Sequence, residues 1–316
     1  MLYTVRHVTR FAYESPISES VMEVRMQPRT DANQRCIQFS LTTAPASRVL
    51  MYQDHDGNIV HHFGIPARHS RLTLTAEALV EVGPPPLIPI DLGDGAWEQL
   101  DAITASGEFW EYLNASPYTR PTPLLDAFAT EIGLGRQDDP LLLLRRVNAA
   151  VYERFEYSPQ STRVDSPIDE ALEARKGVCQ DFAHIMIALI RPMGIPCRYV
   201  SGYLLHNDRA DRSVDDATHA WVEAYLPDLG WVGFDPTNNR LAEERHILVA
   251  VGRDYADVPP TRGVFSGVSA VRAELAVAVR VGPAHLVSND ALPFIPWMSR
   301  DASTPRADTA SASQQQ

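Results

Sequence analysis

Three residues in the second half of the chain have the types needed for nucleophilic chemistry: Cys179 in GVCQD, His219 in THAWVEAY and Asp235 in WVGFDPT. The thiolate is the nucleophilic form of cysteine, and an unassisted thiol titrates near ~8.5, so a reactive cysteine needs help. A helix N-terminus gives some, because its unpaired N–H groups carry roughly half a positive charge. An adjacent imidazole gives more, as ion-pair partner and as acid for the leaving group. A carboxylate behind the imidazole fixes its tautomer and orientation. Such a set attacks an amide carbonyl, expels an amine and leaves a thioester. The same residue types also have ordinary uses. A free cysteine is often a small buried hydrophobe, which is what we expect of Cys36 and Cys197. Asp235, standing before Pro236, could equally begin a turn.

The elements around these residues decide between the two. Counting from Cys179, apolar residues at helical spacing (Phe182, Ala183, Met186, Ile187, Ile190) predict a helix beginning at or near the cysteine. Ile185, Ala188 and Leu189 are apolar too, so this helix belongs inside a core, and Pro192 and Gly194 end it. His184 lies on its narrow polar stripe and reads as a hydrogen-bonded packing residue. Asp181 can cap its start. CRYVSGYLL, THAWVEAYL and WVGFDP read as strands. In the second, His219, Trp221, Glu223 and Tyr225 share a face; in the third, Asp235 shares one with Trp231 and Gly233. A four-residue hairpin loop pairing Leu226 with Trp231 would send His219 and Asp235 to opposite faces, since a one-residue slip flips every side chain. A loop of LPDLG pairs Tyr225 with Trp231, sets Trp221 opposite Asp235 and makes His219 its diagonal neighbour on the same face. The sequence therefore predicts that register, or a bulge that does the same job.

GVCQDFAHIMIALIRPMGIPCRYVSGY followed by HAWVEAYLPDLGWVGFDPT resembles the core of the transglutaminase-like superfamily over roughly residues 150–240, and the strand-rich first part resembles the extra domain of its bacterial branch. The resemblance implies a papain-like α+β fold, with a central helix packed on an antiparallel sheet. It implies Cys179 as nucleophile, His219 as general base and acid, and Asp235 as the orienting carboxylate. A tryptophan follows the nucleophile in animal transglutaminases; Gln180 stands there here, which leans toward the hydrolase-like bacterial members. Tyr157 in FEYSPQ is the candidate side-chain donor to an oxyanion, with the Cys179 backbone N–H as the other. Gln180 and Trp221 are candidates for the substrate pocket. The implied substrate is a peptide or protein.

The remaining sequence frames this core. RLTLTAEALVEV (71–82) alternates, with Leu72, Leu74, Ala76, Ala78, Val80 and Val82 on one face. CIQFSLTT, SRVLMYQ and NIVHHFGI are shorter strands, the last two joined by a turn at Asp56-Gly57-Asn58. Together they predict an N-terminal β-sandwich-like domain over 1–90. The Pro/Gly-rich segment 83–95 reads as a linker. A transglutaminase-like domain would follow over 91–300 and a small, polar tail over 301–316. Within the second domain, 138–155 is a helix capped by Asp138 or Asp139, and 166–177 is a helix capped by Ser166 and ended by Gly177. GVSAVRAELAVAVRV (267–281) is a late strand with Val271, Ala273, Leu275, Val277, Val279 and Val281 on one face. With 316 residues and a net charge of −12, the chain is the wrong sign for a nucleic-acid partner. There is no run of ~18 apolar residues to span a membrane and no apolar leader at the N-terminus. Three sparse cysteines make no disulfide framework, so a reducing, cytoplasmic setting is expected. His61-His62 has no companion ligands, and the aspartate-rich loop 206–219 lacks calcium-loop spacing. No metal or cofactor is assigned.

Overall fold

The alternation read over 71–82 governs the first part of the fold. In a computed structural model describing residues 1–137, 139–159, 161–206, 211–213, 217–266 and 273–284, every even-numbered residue from Leu72 to Val82 is buried. The elements in chain order are β1 (Leu2–Ile17), β2 (Glu19–Val24), β3 (Gln34–Ala44), β4 (Leu50–Gln53), β5 (Ile59–Ile65) and β6 (His69–Val82); then α1 (Ala96–Thr104), α2 (Trp110–Leu113), α3 (Pro123–Glu131), α4 (Pro140–Arg154), β7 (Glu156–Tyr157), α5 (Ile168–Ala174), β8 (Lys176–Gly177) and α6 (Cys179–Ile190). They end with β9 (Cys197–Leu204), β10 (His219–Leu226), β11 (Gly230–Asp235), β12 (Arg240–Leu241), β13 (His246–Gly252), β14 (Thr261–Ser266) and β15 (Ala273–Pro283).

Two four-stranded antiparallel sheets make up the strand-rich part, in the orders β15-β1-β6-β3 and β14-β2-β5-β4. Leu72, Leu74 and Ala76 of β6 face Met22, Val24, Phe63 and Ile65 of the other sheet. Each such aliphatic side chain contributes ~1.5–3 kcal/mol on burial. Further along the same face, Ala78, Val80 and Val82 join the core that surrounds α6. One strand thus supplies two cores. The turn at Asp56-Gly57-Asn58 forms as expected, with Gly57 at φ +76° and its N–H donated to the Asp54 carbonyl. Both C-terminal strands return to these sheets. β14 pairs with β2 and β15 with β1, although both lie beyond residue 91.

Some expectations shift. The segment 166–177 is helical only from Ile168 to Ala174, with Pro167 at its N-cap. The helix starts one residue later than expected, so Ser166 stands just before the N-cap and its hydroxyl is used elsewhere. It accepts the Arg163 N–H and donates to Glu170. Arg175, at φ +54°, ends the helix two residues early. The late strand is described over Ala273–Pro283; the expected residues 267–272 lie outside the described residues, as does 301–316. Of the described residues of its expected buried face only Val279 is fully covered, because β15 is an edge strand and Leu275 and Val277 are exposed.

The helix-containing part centres on a five-stranded antiparallel sheet, β12-β11-β10-β9-β13. α4 is capped as read: Asp139 accepts the Leu142 N–H at 2.9 Å, with Pro140 in the first turn. α6 lies against one sheet face, where Ala220, Val222, Ala224 and Leu226 of β10 meet it. The opposite face carries Val200, Trp221, Leu248 and Val251.

β13 is the outer strand of this sheet, and side chains from the strand-rich part close its edge. The Gln34 amide donates to the Leu248 carbonyl and accepts the Leu248 N–H, both at 2.8 Å. Asn58 does the same for Val251, again at 2.8 Å twice. Each amide acts as one residue of a missing strand, which leaves no bare edge to recruit another chain. A second tie is buried nearby. His7 donates from Nδ1 to the Tyr203 hydroxyl at 3.0 Å, and Tyr203 donates to the Met26 carbonyl at 3.1 Å. Burial lowers the His7 pKa to about 4, so the ring is neutral and can accept from Thr9 at Nε2.

Gln34→Ala leaves the Leu248 N–H without its partner and the Leu248 carbonyl with the Arg29 N–H alone. We expect it to lower unfolding free energy by about 1–3 kcal/mol, measured as a drop in the urea midpoint at unchanged slope; an unmoved midpoint would contradict this role.

Candidate active site

Cys179 is the first residue of α6 and is half-buried. Val178 before it is extended, and its N–H is donated to Asp181 Oδ2 at 2.8 Å. Asp181 thus secures the helix start, as the sequence suggested. Burial pushes its carboxyl up, while the Thr162 hydroxyl and the Val178 N–H pull it down. Gly177 is required by packing. A Cβ there would lie 2.9 Å from Asp181 and 3.1 Å from the Phe182 ring.

The β10–β11 hairpin has the register that the sequence demanded. Tyr225 pairs with Trp231 and Val222 with Phe234. Pairing extends one step further than the loop LPDLG allowed, to Leu226 and Gly230, with Asp228 and Gly230 at φ +60° and +70° in the tighter turn. His219 and Asp235 therefore share a face, and His219 Nε2 lies 2.8 Å from Asp235 Oδ2. Both side chains are wholly buried.

Asp235 is the hub of this site. Oδ1 accepts the backbone N–H groups of Thr237 (3.0 Å) and Asn238 (3.2 Å), the turn-forming role open to an aspartate before proline. Oδ2 accepts from Asn238 Nδ2 (2.8 Å), His219 Nε2 (2.8 Å) and His246 Nε2 (3.2 Å). Burial alone would raise this carboxyl. The interactions with His219 and His246 outweigh it and hold Asp235 far below the usual carboxylate range. His219 is raised above its ordinary value: burial opposes the charge, but Asp235 and then Cys179 favour it. With Nε2 held by Asp235, Nδ1 is the nitrogen left for Cys179. It is buried and has no hydrogen-bond partner among the described residues.

The other sequence candidates fall around this centre. Trp221 is only 1% exposed. Its ring stacks on His219 at 6.1 Å, so it backs the imidazole rather than walling an open pocket. Gly202, opposite His219 in β9, makes room for it; a Cβ there would fall 2.4 Å from the indole. Gln180 is buried and spends its amide N–H on the Val164 carbonyl at 2.9 Å. Tyr157 is half-buried beside the helix start, paired with Gly177 and set edge-on to Phe182. His184 is the packing residue expected, accepting the Tyr255 N–H and stacked on Tyr118. Burial lowers its pKa to about 3. Cys197 is buried with its thiol pushed up to about 12, and Cys36 is half-buried and also raised by burial. In the loop 206–219, residues 207–210 and 214–216 lie outside the described residues, but Asp211 is committed to Arg245 at 2.9 Å and Arg240 at 3.3 Å.

Sequence reasoning missed His246 and Asn238. Asn238 had a signal, since Asp-Pro-Thr-Asn is a turn in which side chains bond locally. His246 had little: a histidine opening the apolar run HILVAVG. His219, Asp235 and His246 each offer one ligand atom, all within 4.8 Å, which is metal-like geometry. Their bonding is not metal-like. His246 Nδ1 accepts the Glu243 N–H at 3.1 Å, so Nε2 carries the proton, and Asp235 Oδ2 already accepts three donors.

A cysteine at the mouth of a buried helix, facing an imidazole and a carboxylate on paired strands, is the arrangement of the papain-like α+β class. Residues 126–236 match the transglutaminase-like superfamily, and residues 3–81 match the bacterial transglutaminase-like N-terminal region. An uncharacterized protein of Mycobacterium leprae is 35% identical over 278 residues, covering 87% of this chain and 97% of its own length. The chain belongs to the transglutaminase-like superfamily. A protein-glutamine gamma-glutamyltransferase of Pseudomonas aeruginosa is 35% identical over 117 residues, 33% of this chain and 16% of that one. The fold matches the crystal structure of a candidate cysteine protease from Cytophaga hutchinsonii with a TM-score of 0.72 at 21% identity, over 89% of this chain and 90% of that one.

Asp235→Ala leaves a buried imidazole and several donors unpaired, and we expect it to cost about 3–5 kcal/mol. The lowered Asp235 contributes stability that is complete above the unfolded carboxyl value of ~3.9 and is lost as pH falls below it. The raised His219 contributes stability that is complete below ~6.5 and is lost as pH rises through its folded value. The stability gap between the wild type and Asp235→Asn, read by urea unfolding at several pH values, should therefore be widest between about pH 4 and 6.5. A gap that does not vary with pH would contradict the pairing.

Proposed function

We propose that the protein is a cysteine-dependent amide hydrolase of peptidase or amidase type, working through a thioester acyl-enzyme on a peptide or protein substrate. The observation that carries this reading is the buried 2.8 Å contact of His219 Nε2 with Asp235, which leaves Nδ1 for a half-buried Cys179 at a helix start. Cys179 Sγ gives its proton to His219 Nδ1 and bonds to the carbonyl carbon. The resulting oxyanion meets the Cys179 N–H, unpaired in the first turn of α6, with Tyr157 as the side-chain candidate. His219 returns the proton to the nitrogen as the C–N bond breaks, and the amine leaves. A water then yields a proton to His219 and attacks the thioester, releasing the acid and the thiol. Throughout, Asp235 keeps the imidazole in one tautomer and stabilises its charged form.

Transfer of the acyl group to an amine is the second reading, favoured by the similarity to a protein-glutamine gamma-glutamyltransferase. The same thioester serves both, and what reaches it decides the outcome. No helix among the described residues is long and apolar enough to cross a membrane. Three free thiols suit the cytoplasm.

The test is a screen of peptide amide donors with and without an added primary amine, followed by intact-protein mass spectrometry. The wild type should gain the mass of an acyl group, and Cys179→Ala should lose at least about 10⁴-fold in turnover. Turnover preserved in Cys179→Ala would overturn the reading; an amide product formed with the added amine would select the second.

A further inference from the structure

His246 is a buried histidine at the head of β13 that the steps above do not use. Its protonation is fixed by its partners. Nδ1 accepts the backbone N–H of Glu243 at 3.1 Å, and a backbone N–H can only donate, so Nδ1 carries no proton. Nε2 is therefore the N–H, aimed at Asp235 Oδ2 at 3.2 Å. The ring also stands edge-on to Trp221, with centroids 5.2 Å apart at 73°, and Trp221 in turn stacks on His219. His246 thus touches both groups that hold His219, the carboxylate at its Nε2 edge and the indole at its face.

We propose that His246 is a positioning residue: as a neutral Nε2–H donor it fixes the Asp235 lone pair and the Trp221 ring that together aim His219 at Cys179. This rests on the cysteine-nucleophile reading above. His246 touches no substrate and transfers no proton. Oδ2 would still accept from Asn238 and His219 without it, but with one constraint fewer on its direction. β13 is also the strand whose edge Gln34 and Asn58 close, and Leu248, two residues on, is held at both its peptide groups. The strand-rich part therefore anchors the backbone that presents His246.

Two variants separate the donor from the ring. His246→Phe keeps an aromatic edge for Trp221 and removes the N–H; His246→Gln keeps an N–H near the same place and removes the ring. Should His246→Phe not fold, His246→Leu is the smaller variant without a donor. The rate of Cys179 alkylation by iodoacetamide, mapped by peptide mass spectrometry, is read alongside turnover. His246→Phe should lower both the alkylation rate and kcat by about 10- to 100-fold with KM unchanged, and His246→Gln should recover most of the loss. In an Asp235→Ala background, His246→Phe should cost nothing further, because the N–H it removes acts only through Asp235, and the aromatic ring is kept. The proposal is overturned if folded His246→Phe stays within twofold of wild type, if the two variants are equally impaired, or if the loss adds in full to that of Asp235→Ala. If instead Cys179→Ala keeps its turnover, the nucleophile reading fails, whatever His246 does.

Discussion

A carboxylate with no exposure to water sets the terms for this structure. Burying Asp235 as an anion costs several kcal/mol unless its lone pairs are filled, and the protein fills them with five donors: two backbone N–H groups, one amide and two imidazoles. That need reaches far along the chain. The Pro-Thr-Asn turn must follow directly, β10 must arrive in one register only, and β13 must begin at His246. Because the low-dielectric surroundings strengthen each remaining interaction, the same burial that makes the anion costly makes it a stiff mount for His219.

The strand-rich part serves this mount from a distance. β13 is an edge strand, the kind of element that frays or finds foreign partners. Gln34 and Asn58 supply its missing hydrogen bonds, and the His7–Tyr203–Met26 chain ties β1 to β9 in the same neighbourhood. β6 runs through both cores on a single face. β14 and β15 carry the C-terminal chain back onto the first sheets, so residues 1–284 form one compact unit even though the family similarity falls in two stretches.

What was legible in the sequence follows from whether a constraint is local. The alternation of 71–82 and the capped helix at 140–154 depend on neighbours a few positions apart, and both could be read directly. The parity of the β10–β11 register was also readable, because a one-residue slip would send His219 and Asp235 to opposite faces. Ser166 was misread because its hydroxyl is spent on the Arg163 N–H and on Glu170, and the helix begins only after Pro167. His246 was invisible because its two bonds, to the Glu243 N–H and Asp235 Oδ2, exist only once β13 lies beside β9. For Trp221, alternation gives a face but not what covers it, so its packing against His219 was not legible. The pairing of β15 with β1 joins chain ends with no local signal between them, and its exposed Leu275 and Val277 follow from its place at the sheet edge.

The central claim is that buried Asp235 holds His219 ready as a charged partner for Cys179. Its most direct test is an NMR titration of the His219 ring nitrogens in the wild type and in Asp235→Asn. The account predicts that His219 remains protonated well above the ordinary histidine value of ~6.5 in the wild type, and that this elevation is lost in the variant. An imidazole that titrates at or below the ordinary value in the wild type, or one indifferent to Asp235, would contradict it.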